Sequence, residues 1–224
     1  MFLIVPRAEL RPLLGFMFVA VLALAFALLA DEVMEGGLGG FDDRMFGLLR
    51  APGAPPWLTE MARDITALGS FVVLGLILVV ASAGLFLAGA RHAAWLAIAA
   101  VLGGTALSTA LKMGFDRPRP QWPGAPAVFT ASFPSGHAML TAVTFLTLGA
   151  LLARMTPHRG LKYFALTSAI LTTVLVGVTR VHLGVHYASD VLAGWCVGGA
   201  WALLCWLVAL WLQRRGAVEA TAPG

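Results

Sequence analysis

Charged and polar residues cluster along this chain, and the stretches between the clusters are almost purely apolar. Such stretches run over about 12–30, 67–88, 93–112, 136–153, 161–179 and 187–212. Each is near the ~20 residues that carry a helix across a ~30 Å hydrocarbon core. The pattern predicts an all-α, polytopic membrane protein: six transmembrane helices forming one bundle, a single domain over 1–224. Turns such as "AGARHA" and "RMTPHRG" are short, and no internal repeat stands out. The longest connection, about 31–66, holds Pro52, Pro55 and Pro56, which break any single helix through it. Beyond them Leu58, Met61, Ala62 and Ile65 recur at helical spacing behind Trp57, opposite Glu60, Arg63 and Asp64. That predicts an amphipathic helix on the outer surface, covering the bundle or guiding lipid to a site.

Composition agrees with a membrane chain. Of the 224 residues 59% are hydrophobic and 12% charged, against about 25% charged in soluble domains. Arg7 and Arg11 precede the first stretch, and Ala25, Ala27 and Ala30 lie near its end, as in a secretory signal. Its apolar run from Leu13 to Leu29 exceeds the ~7–15 residues of a signal core, so a retained span is expected. Cys196 and Cys205, nine residues apart in the last stretch, fall on opposite faces of a helix and should not pair.

Charge sets an orientation. With the N-terminus inside, the inner segments hold Arg7, Arg11, Arg91, Arg154, Arg159, Lys162, Arg214 and Arg215 against Glu9 and Glu219, while the outer segments hold Arg44, Arg50, Arg63, Lys112, Arg117, Arg119 and Arg180 offset by nine Asp and Glu. Positive-inside counting therefore puts both termini in the cytoplasm. The net charge of +4 reflects this membrane bias, and no basic tract points to nucleic acid.

The polar residues at span ends carry the chemistry. Lys112 ends the third span, Ser135 and His137 begin the fourth, Arg180 ends the fifth, and His186 and Asp190 begin the sixth. Alternating spans bring all six to the outer level, and ionisable groups at membrane depth mark a functional site. Lys112, Arg119 and Arg180 supply three cations suited to an oxyanion. Ser135 stands at an N-cap position, so the N–H groups of Gly136 and its neighbours favour an anion there. His137 can protonate a leaving oxygen. On a helix, His186 and Asp190 four residues apart would share a face, letting the carboxylate hold one ring nitrogen protonated and leave the other free to attack. Such a set makes a phosphomonoesterase without a metal ligand cluster or cofactor. A Gly194-x-x-x-Gly198 pattern in the last span fits packing within the bundle or a dimer face, and the oligomeric state stays open.

These residues resemble a known family. "KMGFDRPRP" (112–120) fits the K-x6-R-P motif of the type 2 phosphatidic acid phosphatase superfamily, Pro134–His137 its P-S-G-H motif, and "TRVHLGVHYASD" (179–190) its S-R-x5-H-x3-D motif, with Thr179 in place of the usual Ser. The resemblance implies a six-helix bundle in a bacterial inner membrane. Its site would lie at the outer face and hydrolyse a lipid phosphate or diphosphate through a phosphohistidine. By the same resemblance His186 is the nucleophile, Asp190 its partner, His137 the general acid, and Lys112, Arg119, Ser135, Gly136 and Arg180 the phosphate ligands. Arg117 and His182 lie inside the motifs without matching fixed positions; the first reads as a contact behind the site or to a headgroup, the second as a loop residue. Undecaprenyl diphosphate, phosphatidylglycerophosphate, phosphatidic acid and diacylglycerol diphosphate are all compatible substrates. A vanadate-dependent haloperoxidase shares the anion pocket but is typically soluble. A non-catalytic lipid binder or carrier would not need the His186, Asp190 and His137 set.

Overall fold

The computed structural model describes residues 7–50, 55–121 and 130–215. Pro52, Glu219 and the side chains of Arg7, Glu9 and Arg11 lie outside the described residues. Eight helices follow one another: α1 (Arg7–Glu35), α2 (Gly39–Leu49), α3 (Pro56–Ala67), α4 (Phe71–Leu87), α5 (Arg91–Gly114), α6 (Gly136–Met155), α7 (Arg159–His182) and α8 (Ala188–Arg214). Among the described residues there is no strand. Five helices, α1 from Pro12 on, α5, α6, α7 and α8, are each long and apolar enough to cross a membrane. The second predicted span, about 67–88, is different. Here α3 and α4 qualify only as a pair, bent by 46° at a short break.

Sequence explains the bend. Pro55 caps α3 and Pro56 starts it, a position where the missing N–H costs nothing. The helix then stops at Leu68, and Ser70 restarts the chain as the N-cap of α4, its hydroxyl accepting from Val73 N at 3.3 Å. Helix α3 is the predicted amphipathic element: Trp57 and Met61 are exposed, and Ala62 packs with Leu183 and Val185.

The bundle is organised about α6, which packs against α5, α7 and α8, while α1 lies against α8. Position decides what each helix can carry. Central α6 buries Thr141, Thr144 and Thr147 beside Met139, Leu140 and Val143. Peripheral α1 turns Phe16, Phe18, Val21, Leu24 and Leu28 outward, the side-chain set expected against lipid tails. Gly194 and Gly198 both face α6. A Cβ on Gly194 would lie 2.7 Å from the carbonyl oxygen of Ser135, and one on Gly198 2.5 Å from that of Met139. The G-x-x-x-G pattern therefore serves packing inside this bundle, by letting two backbones touch.

One element was absent from the sequence pattern. Helix α2 lies in the 31–66 connection, where Gly39, Gly40, Asp42 and Asp43 read as loop. It is held by burial: Phe46 packs against Ala138, Val181, Ala188 and Val191. Cys196 and Cys205 are both free thiols. At the bundle end formed by His92, Arg154 and Gln213, an apolar cavity of about 610 Å³ opens between α5 and α8, lined by Trp95, Trp201 and Trp206.

Candidate active site

At the opposite end of the bundle, the last turns of α5 and α7, the first turns of α6 and α8, and the 115–121 and 130–135 segments converge. The R-x5-H spacing has a backbone cause. Helix α7 ends with Gly184 N donating to Val181 O at 2.9 Å and Val185 N to Arg180 O at 3.2 Å, with Gly184 at φ 70°. This Schellman closure needs the left-handed residue that glycine supplies, and it sets His186 down beside the turn that carries Arg180. The H-x3-D spacing also follows from a helix end. Asp190 reaches back to accept from Tyr187 N at 2.9 Å, capping its own helix.

His186 therefore does not lie on the helix with Asp190, as the four-residue spacing suggested; it precedes the α8 N-cap, Tyr187. The pair still meets, with His186 Nδ1 3.4 Å from Asp190 Oδ2, and both residues are buried. On the other ring nitrogen, Arg119 Nη1 lies 3.1 Å from His186 Nε2. A guanidinium has donors only, so Nε2 must be the accepting, unprotonated nitrogen and Nδ1 carries the hydrogen toward Asp190. Burial pushes the His186 pKa down to about 4, with the Asp190 hydrogen bond and charge opposing, so the ring is neutral at pH 7.

The three predicted cations are held on neutral oxygens. Lys112 Nζ donates to Ala131 O at 2.9 Å. Arg119 donates from Nε to Thr130 O at 2.7 Å and from Nη1 to Val185 O at 2.7 Å. Arg180 Nη1 donates to Thr66 Oγ1 on α3 at 3.0 Å, while its buried Nε has no partner among the described residues. None of these contacts neutralises a charge, so the end of the bundle keeps a positive field.

Ser135 caps α6 as expected, accepting from Ala138 N at 3.5 Å, and its own N–H donates to Asp190 O at 3.0 Å. A Cβ on Gly136 would meet Lys112 Cε at 3.3 Å, so the ammonium stem runs directly beside the helix N-terminus. His137 sits one residue further on, within electrostatic reach of Arg180, His186, Arg119 and Lys112. The break between α3 and α4 covers it: a Cβ on Gly69 would lie 3.3 Å from His137 Cδ2 and 2.7 Å from Thr141 Oγ1. The eight predicted residues are thus brought to one place.

Four partners of this set were not expected. Ser132 Oγ donates to Asp190 Oδ2 at 2.5 Å, Thr66 holds Arg180, and Asp42 and Ser189 hold Arg117. Arg117 lies behind the His186 and Asp190 pair, donating to Asp190 Oδ1 at 2.6 Å. His182 is buried at the end of α7, with Nδ1 2.7 Å from Leu49 O and Nε2 3.5 Å from Thr59 Oγ1, joining α2 and α3 to the bundle.

Three cations, a helix N-terminus, two imidazoles and one carboxylate at the end of a membrane bundle form a site for handling an oxyanion. Residues 93–214 match the PAP2 superfamily, and the chain belongs to that superfamily. It is 34% identical over 149 residues to phosphatidylglycerophosphatase B of Bacillus subtilis, covering 64% of this chain and 71% of that protein. It is 33% identical over 92 residues to an undecaprenyl-diphosphatase of Sulfolobus acidocaldarius, covering 41% of this chain and 35% of that one. The fold is similar to the crystal structure of a transmembrane PAP2-type phosphatidylglycerolphosphate phosphatase from Bacillus subtilis, with a TM-score of 0.80, 26% identity, and coverage of 91% and 98% of the two chains.

Proposed function

We propose that this chain, a lipid phosphate phosphatase of the PAP2 superfamily, hydrolyses its substrate through a phosphohistidine on His186, without a metal ion in the chemical step. One observation carries the reading: His186 lies between an obligate donor on Nε2 and a carboxylate on Nδ1, which fixes the tautomer a nucleophile needs. In the first half-reaction Nε2 attacks the terminal phosphorus as its bond to the leaving oxygen breaks, an ester P–O bond in a monophosphate and the anhydride P–O bond in a diphosphate. The imidazolium charge on His186 is balanced by Asp190, and His137, protonated once the phosphate's negative charge is bound among the surrounding cations, gives its proton to the departing lipid oxygen. In the second half-reaction the now neutral His137 takes a proton from water. The hydroxide formed attacks phosphorus, the P–N bond breaks, and inorganic phosphate leaves. Lys112, Arg119, Arg180 and the amides at Gly136 stabilise the charge on the transferring group.

The substrate is a lipid phosphate monoester or diphosphate, met at the outer membrane face of a bacterial cell with both termini cytoplasmic; positive-inside counting supports this side. Similarity in sequence and in fold to a phosphatidylglycerophosphate phosphatase of Bacillus subtilis puts that lipid first among candidates, with undecaprenyl diphosphate next. The test is inorganic phosphate release by the pure protein in detergent from phosphatidylglycerophosphate, undecaprenyl diphosphate, phosphatidic acid and diacylglycerol diphosphate. At least one should turn over, and His186→Ala should abolish it; phosphate release that survives in His186→Ala overturns the reading.

A further inference from the structure

We propose that Asp42, on α2 and outside every sequence motif, is a positioning residue for this hydrolysis: through Arg117 it holds the Asp190 carboxylate in the orientation that serves His186. The inference rests on the nucleophile assignment made above.

Asp42 is an acid with 1% of its side chain exposed, placed among the first residues of α2. Its Oδ1 accepts from Ser189 N at 2.9 Å; its Oδ2 accepts from Ser189 Oγ at 2.7 Å and Arg117 Nη2 at 2.9 Å. Arg117 spends its other terminal nitrogen on Asp190 Oδ1 at 2.6 Å and Ser189 Oγ at 2.8 Å, with its guanidinium 4.1 Å from the Tyr187 ring centre. The order in space is Asp42, Arg117, Asp190, His186.

The division of labour on Asp190 is what matters. Its Oδ1 faces Arg117, while its Oδ2 takes Tyr187 N and Ser132 Oγ and faces His186 Nδ1. An arginine next to a single carboxylate tends to grip both oxygens as a fork. A forked Arg117 would draw Oδ2 away from His186 and spend the carboxylate's charge on the wrong partner. Asp42 prevents the fork by taking Nη2, so Arg117 meets each acid with one nitrogen. Sharing the cation between two carboxylates also leaves Asp190 with more charge to balance an imidazolium. Burial alone would lower the Arg117 pKa, but Asp190's charge and hydrogen bonds to Asp42 and Asp190 outweigh it and raise it, as expected for a cation fixed between two acids.

Apolar packing does not call for an acid here, and the buried Ser189 N–H at the start of α8 needs only an acceptor, which an asparagine also supplies. A buried ion pair is often no more stabilising than well-packed apolar side chains of the same volume. Phe46 already docks α2 against α6, α7 and α8. What an apolar residue at position 42 could not do is hold Arg117 to one nitrogen per carboxylate.

The experiment compares full-length Asp42→Asn, Arg117→Gln, the double variant and Arg117→Lys with wild type and His186→Ala in one detergent, on phosphatidic acid or whichever panel lipid turns over. Asp42→Asn should lose about 10–100-fold in kcat with KM within about threefold, the range for residues that orient a catalytic group from behind. Adding it to Arg117→Gln should cost less than about threefold more, because both act along one chain of contacts. Arg117→Lys, whose ammonium cannot bridge the two acids in this way, should show the same split and serves if Asp42→Asn does not fold. A kcat within threefold of wild type in a folded Asp42→Asn, or in Arg117→Lys, overturns the proposal, as do fully multiplicative losses in the double variant. His186→Ala separates the two levels. If it is dead while Asp42→Asn is normal, only the role of Asp42 falls; if it turns over, the nucleophile assignment falls.

Discussion

Arg119 donates to Nε2 of His186 across 3.1 Å, so the nitrogen proposed to attack phosphorus is already cleared of its proton. The same guanidinium binds Val185 O and Thr130 O, so it is braced by backbone on both sides of the ring. Under the proposed mechanism an incoming phosphoryl oxygen would take the donor over without any change of tautomer and so free Nε2 to attack.

A phosphoenzyme follows from that geometry. Brief reaction with a labelled lipid phosphate and quenching in alkali should trap label on the protein, and acid should discharge it, the stability of a phosphoramidate. His186→Ala should trap none and lose roughly 10⁴-fold or more in kcat. EDTA should change neither result. Loss of both labelling and turnover on chelation, with recovery on adding back a divalent ion, would contradict a reaction run on side-chain cations alone.

The acidic limb of the pH profile reports His186. Its pKa in the fold is lowered to about 4, principally by burial, from the ~6.5 of a free imidazole. A lowered value means that the neutral, attacking form persists as pH falls below 6.5 and is lost only as pH passes through about 4. After the substrate's own ionisation is divided out, kcat/KM should hold to about pH 5 and then drop. A drop centred at 6.5 would place the titrating imidazole in water.

Leaving-group chemistry isolates His137. An alkyl lipid oxygen needs a proton to depart, whereas an activated aryl phosphate does not. His137→Ala should lose about 10²–10⁴-fold on the lipid and much less on a small aryl phosphate. His186→Ala should fail on both. Equal losses for His137→Ala on the two substrates, with chemistry rate-limiting, remove it as the acid.

Gly194 ties packing to catalysis. An added Cβ would sit 2.7 Å from Ser135 O, and Ser135 N is itself bonded to Asp190 O. Gly194→Ala should therefore force α6 from α8 at the site, costing about 1–3 kcal/mol of stability and lowering turnover. Gly75→Ala on α4, where a Cβ meets nothing within 4 Å, is the control and should leave turnover unchanged with stability equal to or up to about 1 kcal/mol above wild type. Thermal unfolding in detergent with parallel rates checks both.

Legibility in the sequence tracked the range of each interaction. The spans were visible because apolar runs need no partner to declare themselves. The eight site residues were visible because helix ends, which set the R-x5-H and H-x3-D spacings, are local. The placement of His186 on the helix was not correct, since a capping aspartate and a helical neighbour four residues away leave the same spacing in sequence. Ser132 and Asp42 were not legible: their partners lie 58 and 147 residues away, and nothing nearby in the chain marks them. Helix α2 escaped because its glycines and acids have poor helix propensity, which tertiary burial of Phe46 overrides.

The bent pair has a mechanical consequence for the surrounding lipid. The straight part of this pair, α4, has 17 residues, about 25 Å at 1.5 Å per residue and some 5 Å short of an average hydrocarbon core, and the remainder is left to α3 beyond the 46° bend. A short wall is met by thinning of the bilayer against it. At the site end such thinning would bring lipid headgroups down toward the elbow where Gly69 leaves no room for a side chain beside His137 and Thr66 holds Arg180. A phosphate approaching along α4 then has less height to climb out of the leaflet, and the membrane's own elasticity supplies part of the work of presenting it. Turnover should for that reason depend on acyl-chain length of the host bilayer, falling as thicker membranes raise the elastic cost of the dip.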